Sequence, residues 1–290
     1  MRIRLLLLAA AVAAPASALG ADLPIPIVAA QGFYAEVAAA VGGDRAAVES
    51  VPIGPDADPH DFAAPPSVAR SVAEARLVVM NGLDYDHWME QLLEASPDDG
   101  RIVVDVSELV GAEEGGNPHL WYDPRAVPVL ARSLADALST LDPDGAPQYQ
   151  NNFNDYAQSL NEMDEKIAAI RSRHAGTEVV ASEPVFGLMA EALGLDMLGE
   201  DYQRAIMNGT EPSARSIAAV EDDLRSGRAK VLFYNSQVID PLTERLLAIA
   251  DEAGVPVVAV TESMPDGKTY VGWMLDQLEA TARALAAPAS

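Results

Sequence analysis

Two of the chain's four histidines lie in near-matching tripeptides, Asp58-Pro59-His60 and Asn117-Pro118-His119. In each tripeptide a proline precedes the histidine, and proline fixes its own φ angle and pushes the residue before it toward extended backbone. A rigid, extended segment suits a side chain that has to be aimed at a partner. Because neutral imidazole binds Zn²⁺, Mn²⁺, Fe²⁺ and related ions, the two motifs favour a metal site with two histidine ligands.

Four candidate ligands lie just past a predicted strand or in a loop before a predicted helix: His60, His119, Glu183 and Glu262. In open parallel sheets, ligands bind beyond the carboxyl ends of the strands. Each half of the chain supplies two of these residues, so a cleft between two lobes can bring all four together. Two neutral imidazoles and two carboxylates balance the charge of one divalent cation, and such donors suit Mn²⁺, Zn²⁺ or Fe²⁺. The spacing alone does not establish the set, since an isolated glutamate is more often a solvated surface carboxylate.

Short apolar runs alternate with amphipathic stretches along both halves of the chain. The runs predict strands at 25–29, 48–53, 77–81, 101–105, 178–181, 231–235 and 255–260. The amphipathic stretches predict helices at 32–41, 66–74, 85–95, 123–141, 186–193, 213–226, 241–253 and 269–286. Asp123-Pro124 marks one helix start, because Asp is a good N-cap and Pro is favoured at the first helical position. The alternation predicts parallel sheets covered by helices on both faces.

The segment 146–173 breaks this alternation. It contains no glycine, and its apolar residues recur at helical spacing. The pattern predicts one helix of roughly 40 Å, long enough to run along a two-lobed protein. A coiled-coil dimer segment is the alternative, which the short and mixed apolar stripe disfavours.

The predicted fold class is α/β, with two lobes, each a parallel β-sheet flanked by helices, joined by one long bridging α-helix. The predicted boundaries are 1–21 for a signal peptide, 22–145 for the N-terminal lobe, 146–174 for the bridging helix and 175–290 for the C-terminal lobe.

The amino terminus has the features of a secretory signal peptide. A basic start is followed by an apolar stretch too short to span a bilayer and by the small residues Ala16-Ser17-Ala18. Cleavage is expected after Ala18 or Ala21, and a short membrane anchor is the alternative. No other stretch is long and apolar enough to cross a membrane, so no membrane insertion of the mature chain is expected.

The composition excludes several classes of site. The chain has no cysteine, which excludes disulfides, thiolate metal ligands, cysteine nucleophiles and a lipidated cysteine at the cleavage site. Together with the signal peptide, this predicts a periplasmic protein without a lipid anchor. The net charge of −25 disfavours nucleic acid as a partner and weakly concentrates cations, although its main effect is on solubility. No nucleophile elbow, phosphate loop or dinucleotide fingerprint occurs in the sequence.

Three segments of the sequence resemble the manganese/zinc-binding family of ABC-transporter substrate-binding proteins. They are 54–62, 78–82 and 117–124, and the last is the most specific match. The similarity covers essentially the whole mature chain. It implies two α/β lobes bridged by one helix, one divalent metal ion as the transported ligand, and a membrane permease with its ATPase as partners. The chain itself is expected to be a monomer.

The resemblance carries the ligand set over by position. His60 and His119 match the two histidine ligands of the family. Glu183 aligns with a position that holds His in many zinc-type members and Glu in manganese-type members. Glu262 aligns with a position that usually holds Asp. The extra methylene leaves open whether Glu262 coordinates the metal directly.

Two segments depart from the family pattern. Zinc-specialised members often have a His-rich, acidic loop before the second ligand motif, whereas segment 111–116 is short and has no His. This departure and Glu183 disfavour a zinc specialist, although first-row metal affinities generally favour Zn²⁺ over Mn²⁺. Segment 233–237 lacks the acidic residue expected after that strand in many members, and its side chains are given no role beyond support of the ligands. The predicted cargo is Zn²⁺ or Mn²⁺, with Fe²⁺ as a third candidate.

The sequence thus favours a periplasmic solute-binding protein that captures a divalent transition metal and delivers it to an ABC importer. Four protein ligands leave little room for a reacting water, so we do not expect an enzyme. One alternative is a binding protein of the same architecture for a metal chelate, which the two Pro-His motifs disfavour. The other is an exported metallohydrolase with Glu183 or Glu262 as general base. It is disfavoured because the sequence has no His-Glu-x-x-His motif.

Other polar residues receive structural interpretations. His87 is expected to be exposed or to cap a helix, and His174 to end the bridging helix, where the helix dipole favours a cation. Glu211 is expected to cap a helix rather than to bind metal. Asp58 and Asp61 flank His60 and are equally compatible with support of that imidazole and with plain loop positions.

Overall fold

The computed structural model describes residues 23–52, 62–238 and 240–287. Within them the strands form two separate four-stranded sheets, in the orders β2-β1-β3-β4 and β6-β5-β7-β8. The strands of the first sheet are β1 (Ile25–Ala29), β2 (Ala46–Ser50), β3 (Leu77–Met80) and β4 (Ile102–Asp105). Those of the second are β5 (Glu178–Ala181), β6 (Asp196–Leu198), β7 (Leu232–Asn235) and β8 (Val257–Val260).

Every pairing in both sheets is parallel. The central strand β3 is buried at all of its positions, as expected for a parallel strand with helices on both faces. The strands thus end together along one edge of each sheet, and polar residues that follow them become neighbours. The predicted fold class of two parallel-sheet lobes flanked by helices is confirmed.

Helices connect and cover the strands. In the first half they are α1 (Gly32–Gly42), α2 (Pro66–Glu74), α3 (His87–Ala95), α4 (Val106–Val110) and α5 (Ala126–Leu141). The next two are α6 (Ala146–Ser159) and α7 (Asn161–His174). The second half has α8 (Gly187–Ala192), α9 (Glu200–Met207), α10 (Ala214–Arg225), α11 (Pro241–Ala253) and α12 (Tyr270–Leu285).

The predicted bridging helix corresponds to two consecutive helices. They meet at Leu160, whose backbone stays in the right-handed helical region with φ −80° and ψ −15°. The first of them, α6, packs against α1 and α5, whereas α7 packs against α12. The two helices therefore connect the N-terminal and C-terminal halves. Helix α6 packs against helices of the N-terminal half, and α7 packs against a helix of the C-terminal half.

Several sequence predictions differ from the structure. The helix expected from Asp123 begins at Ala126, because the Asp123 carboxylate accepts hydrogen bonds from the backbone and guanidinium of Arg125 instead of capping. The strand expected at 48–53 lies at β2, which ends at Ser50. The elements β6, α4 and α9 were not predicted from the sequence. A three-residue edge strand is defined by its partner β5 rather than by a pattern of its own.

One apolar core is shared by the two sheets. It includes Ile27 and Leu77 of the first sheet and Val179 and Phe233 of the second. Aromatic rings connect the halves, since the ring centroid of Tyr122 lies 5.4 Å from that of Phe186. The lobes are therefore packed against each other behind the candidate site. Among the helices of the described residues, none combines the length and apolarity that a bilayer crossing requires.

Candidate metal centre

The Asn117 side chain contacts both the backbone and the imidazole of His119. Asn117 Oδ1 accepts a hydrogen bond from the His119 backbone N–H at 3.0 Å and lies 2.7 Å from His119 Nδ1. Exchanging the oxygen and nitrogen of the Asn117 amide would lose a hydrogen bond, because its Nδ2 donates to the Pro184 carbonyl at 2.7 Å. Nδ1 therefore carries a proton, and in the neutral imidazole the lone pair is on Nε2. This tautomer presents Nε2 as the metal-binding nitrogen.

The backbone ahead of His119 is tied to the end of β3. Asn81, which is fully buried, donates from Nδ2 to the Pro118 carbonyl at 2.9 Å and accepts a hydrogen bond from the Tyr34 hydroxyl at 2.7 Å. The buried Asp86 carboxylate accepts from the backbone N–H groups of Asn81 and Gly82. Burial raises the pKa of Asp86 to about 7, and the two backbone hydrogen bonds act in the opposite direction. A polar network inside the first lobe thus fixes the Pro118-His119 segment.

The two glutamates follow the two strands that flank β7 in the second sheet. Glu183 comes shortly after β5 and Glu262 shortly after β8, and the strand between them, β7, ends at Asn235. Asn235 Nδ2 donates to Glu183 Oε2 and to Glu262 Oε1, at 2.7 Å in each case. One amide group therefore brings the two carboxylates together at the carboxyl edge of this sheet.

Glu262 also reaches the first lobe. Its Oε2 lies 3.8 Å from His119 Nε2 and accepts a hydrogen bond from the Tyr85 hydroxyl at 3.3 Å. Burial raises the pKa of Tyr85 well above its usual value, and the nearby Glu262 charge adds to this effect. Tyr85 is therefore a hydrogen-bond donor to Glu262. The Glu262 backbone is fixed in turn by Gln237, whose Oε1 accepts its N–H at 2.6 Å.

His119, Glu183 and Glu262 open onto one cavity of about 580 Å³. The C-terminal end of α9 and the loop 208–212 line the other side of this cavity. The imidazole of His119 is almost fully buried, with 2% of its side chain exposed, and Glu262 is 12% exposed. The arrangement offers one nitrogen and several carboxylate oxygens to a cation that enters from this cavity.

Three of the four predicted ligands are thus brought together, and His60 lies outside the described residues. The sequence interpretation included Asn235 only in the segment 233–237, with no role beyond support of the ligands, and assigned no role to Tyr85 or Asn117. The signal for Asn235 was present, since a polar amide that ends a buried apolar strand needs a partner. The other two became recognisable only from their contacts across the fold.

The remaining predicted residues lie elsewhere. His87 is exposed, and its Nδ1 lies 2.8 Å from Glu90 Oε2. With Asp84 these side chains form an exposed group whose ligand atoms lie within 4.8 Å of one another. His174 is the last residue of α7, as expected. Glu211 is exposed and lines the mouth of the cavity.

The fold is that of a two-lobed α/β protein in which His119, Glu183 and Glu262 line one cavity. A family model described as the periplasmic component A of a zinc-uptake complex matches residues 27–284. The chain therefore belongs to this family of metal-binding substrate-binding proteins of ABC transporters.

Similar proteins carry different metals in their names. The manganese ABC transporter substrate-binding lipoprotein PsaA of Streptococcus mitis is 26% identical, with 90% of this chain and 89% of PsaA aligned. The iron-binding protein YfeA of Yersinia pestis is 27% identical, over 71% of this chain and 67% of YfeA. The periplasmic zinc-binding protein TroA of Treponema pallidum superposes with a TM-score of 0.76 at 20% identity, covering 91% of this chain and 100% of TroA. This last likeness concerns the fold.

The names of the relatives bear on one further expectation. PsaA is named a lipoprotein, which counts against the predicted absence of a lipid anchor. The sequence itself contains no cysteine. The anchorage of the mature protein stays a prediction.

Proposed function

We propose that this protein captures one divalent transition-metal ion between its lobes and delivers it to an ABC importer. The ligands would be His60, His119, Glu183 and Glu262. The observation that supports this most directly is the convergence of His119 Nε2 and the two carboxylates on one cavity, with Nε2 of one lobe 3.8 Å from Glu262 of the other.

The chemistry of the donors suits such a cargo. Two carboxylates that share one amide donor repel each other, and a cation placed between them removes this repulsion. Neutral His119 adds a nitrogen donor whose orientation is already fixed, so little ordering is needed when the ion binds. Since ligands come from both lobes, a small displacement of one lobe or loop would break the coordination and release the ion.

The cargo is Zn²⁺ or Mn²⁺, with Fe²⁺ as a third candidate, as the names of the relatives also suggest. The partners would be a membrane permease and its cytoplasmic ATPase. The protein would act in the periplasm as a monomer after removal of residues 1–21.

Titration of the metal-free protein with Zn²⁺ and with Mn²⁺ tests this proposal. We expect one ion per chain, and a loss of affinity of at least about 100-fold in His119→Ala, because removal of a ligand costs more than removal of its hydrogen-bonding partner. His87→Ala is the matched control, since it removes an exposed imidazole that lies outside the proposed ligand set.

Unchanged affinity in His119→Ala and in Glu183→Ala would contradict the proposed site. Binding only of a metal presented in a chelate would favour the alternative of a chelate-binding protein. Elemental analysis of the purified mature protein identifies the ion that the protein retains.

A further inference from the structure

Tyr122 connects the two backbone segments that bear His119 and Glu262. It is the last residue of the short 3₁₀ helix Leu120–Tyr122, which begins directly after His119. Its hydroxyl donates to the Thr261 carbonyl at 2.8 Å, and Thr261 directly precedes Glu262. This hydrogen bond therefore crosses from the first lobe to the second, and each of its ends lies close in the chain to one candidate ligand.

The surroundings of Tyr122 make it a fixed donor. Its side chain is fully buried, and its ring centroid lies 5.4 Å from that of Phe186 and 5.7 Å from that of Trp273. Burial raises the pKa of Tyr122 well above its usual value, so the phenol keeps its proton. A ring packed among other aromatic rings has few alternative orientations. The ring thus acts as a rigid spacer between the two segments.

A second tyrosine makes a connection in the opposite direction. Tyr270, the first residue of α12, is fully buried, and its hydroxyl donates to the Trp121 carbonyl at 2.6 Å. Trp121 lies in the same 3₁₀ helix as Tyr122. The backbone N–H of Tyr270 donates to the Glu36 carboxylate of α1 at 3.1 Å. The 3₁₀ helix that follows His119 is therefore hydrogen-bonded to the second lobe both as donor and as acceptor.

The distance between the two candidate ligands leaves little room for displacement. His119 Nε2 and Glu262 Oε2 lie 3.8 Å apart, although they belong to different lobes. Nitrogen and oxygen donors lie about 2.0–2.2 Å from a Zn²⁺ ion, so two donors of one ion can be at most about 4.4 Å apart. A relative shift of about 0.6 Å along this line would therefore separate them too far.

Other contacts of Glu262 do not set this distance through the backbone. Gln237 accepts the Glu262 backbone N–H at 2.6 Å, but both residues belong to the second lobe. Tyr85 contacts the Glu262 carboxylate, at the longer distance of 3.3 Å. The hydrogen bond from Tyr122 to Thr261, in contrast, fixes the backbone next to Glu262 relative to the segment that bears His119.

We propose that Tyr122 is a positioning residue of the metal site, which holds Glu262 within reach of the ion beside His119 by donating to the Thr261 carbonyl. Tyr270 supports the 3₁₀ helix that carries Tyr122 and therefore acts less directly. This inference rests on the proposed function, because it concerns the binding of one ion by ligands from both lobes.

The test is a titration of the metal-free protein with Zn²⁺, for the wild type, Tyr122→Phe and Tyr149→Phe. Tyr122→Phe removes the hydroxyl and keeps the packed ring, and we expect the Zn²⁺ Kd to rise by about 10-fold, the usual effect of groups that orient metal ligands. Tyr149→Phe is the matched control. Tyr149 is also fully buried, and its hydroxyl donates to Asp142 at 2.8 Å, outside the candidate site. It should lower the thermal stability and leave the Kd unchanged.

A double-variant cycle separates positioning from a general structural role. Because Tyr122 acts through Glu262, Tyr122→Phe should raise the Kd by less than about 2-fold when it is introduced into Glu262→Ala, in which the positioned carboxylate is absent. Tyr270→Phe should raise the Kd by a smaller factor than Tyr122→Phe. It tests the same connection from the second lobe if Tyr122→Phe does not fold.

Three outcomes would overturn this inference. They are an unchanged Kd in Tyr122→Phe and Tyr270→Phe, an equal rise in Tyr149→Phe, and an equal rise with and without the Glu262 carboxylate. All three leave the proposed function intact, since the wild-type protein still binds Zn²⁺ in each case. Failure of the wild-type protein to bind the ion would instead overturn the proposed function itself.

Discussion

The two lobes hold their candidate ligands in different ways. In the N-terminal lobe His119 is a buried side chain, fixed by Asn117 and by the hydrogen bond between Pro118 and Asn81. In the C-terminal lobe two carboxylates that line a cavity both accept hydrogen bonds from one amide, that of Asn235. Buried carboxylates need hydrogen-bond donors or solvent. The first lobe thus supplies an oriented imidazole, and the second supplies two carboxylates held by a shared donor.

Asp86 in the first lobe and Glu221 in the second are buried carboxyl groups outside the ligand set, and their pKa values are shifted in opposite directions. Asp86 in the first lobe is surrounded by backbone donors, and its burial raises its pKa to about 7. Glu221 in the second lobe contacts Arg245 and Arg225, which lower the pKa of its carboxyl group. The two lobes should therefore respond to pH with opposite sign.

The largest effect is expected from removal of a ligand in either lobe. Glu183→Ala should lower the affinity for Zn²⁺ by at least about 100-fold, the loss also expected for His119→Ala, because each change removes a proposed metal ligand. Isothermal titration of the metal-free proteins measures this. A similar loss of Zn²⁺ affinity in both variants would show that both lobes contribute ligands to the bound ion. A loss in only one variant would mean that only one lobe binds it.

The pH dependence of Asp86 is expected to be the next largest effect. The folded state binds this proton more tightly than the unfolded chain, so between the unfolded pKa near 3.8 and the folded pKa of about 7 it holds more protons. The free energy of unfolding should therefore decrease as pH rises through this window, by on the order of 4 kcal/mol from this group. Urea unfolding of the wild type and of Asp86→Asn, at pH values between these two pKa values, measures the contribution of Asp86 to the free energy of unfolding. The same slope in both proteins would contradict it.

Removal of the support of His119 should have a smaller effect than removal of the imidazole. In Asn117→Ala the ring loses the acceptor for Nδ1 and the bridge to Pro184. We expect an affinity loss of about 10- to 100-fold that is similar for Zn²⁺ and Mn²⁺. Unequal losses for the two metals would contradict this expectation.

The smallest effect is expected at Glu221. The lowered pKa of this carboxyl group contributes stability that is present above its unfolded pKa of about 4.5 and is lost as pH falls through the folded value. Glu221→Gln should lower the free energy of unfolding at pH 7 by roughly 1 kcal/mol or less, because Arg245 and Arg225 are about half exposed and screened by solvent. Thermal unfolding at pH 7 and at pH 4 measures the difference, which should shrink at the lower pH.

Much of the fold could be predicted from local patterns. The strand prediction at 178–181 coincides with β5, and those at 77–81 and 231–235 each extend one residue beyond the observed strand. Such strands are buried runs with a signal of their own. The pattern at 146–173 did not indicate the interruption at Leu160, because both helices that meet there satisfy the same helical spacing.

The candidate site was predicted in part. The Pro-His motifs and the family resemblance indicated His119, Glu183 and Glu262, and the structure brings these three together. The prediction that His60 joins them concerns a residue outside the described ranges. Asn235 was included only in a segment with no role beyond support of the ligands. Its function depends on two glutamates that lie 52 and 27 residues away in the chain.

The amino-acid sequence was sufficient to indicate the types of donor, the absence of sulfur ligands from cysteine, the α/β class and the family. These follow from residue identity and local periodicity, which a linear pattern contains. Only the tertiary structure decided which nitrogen of His119 is available, which oxygen of Glu262 faces it, and that one amide holds both carboxylates. These properties depend on distances and directions between side chains from strands that pair in space, and no local pattern specifies them.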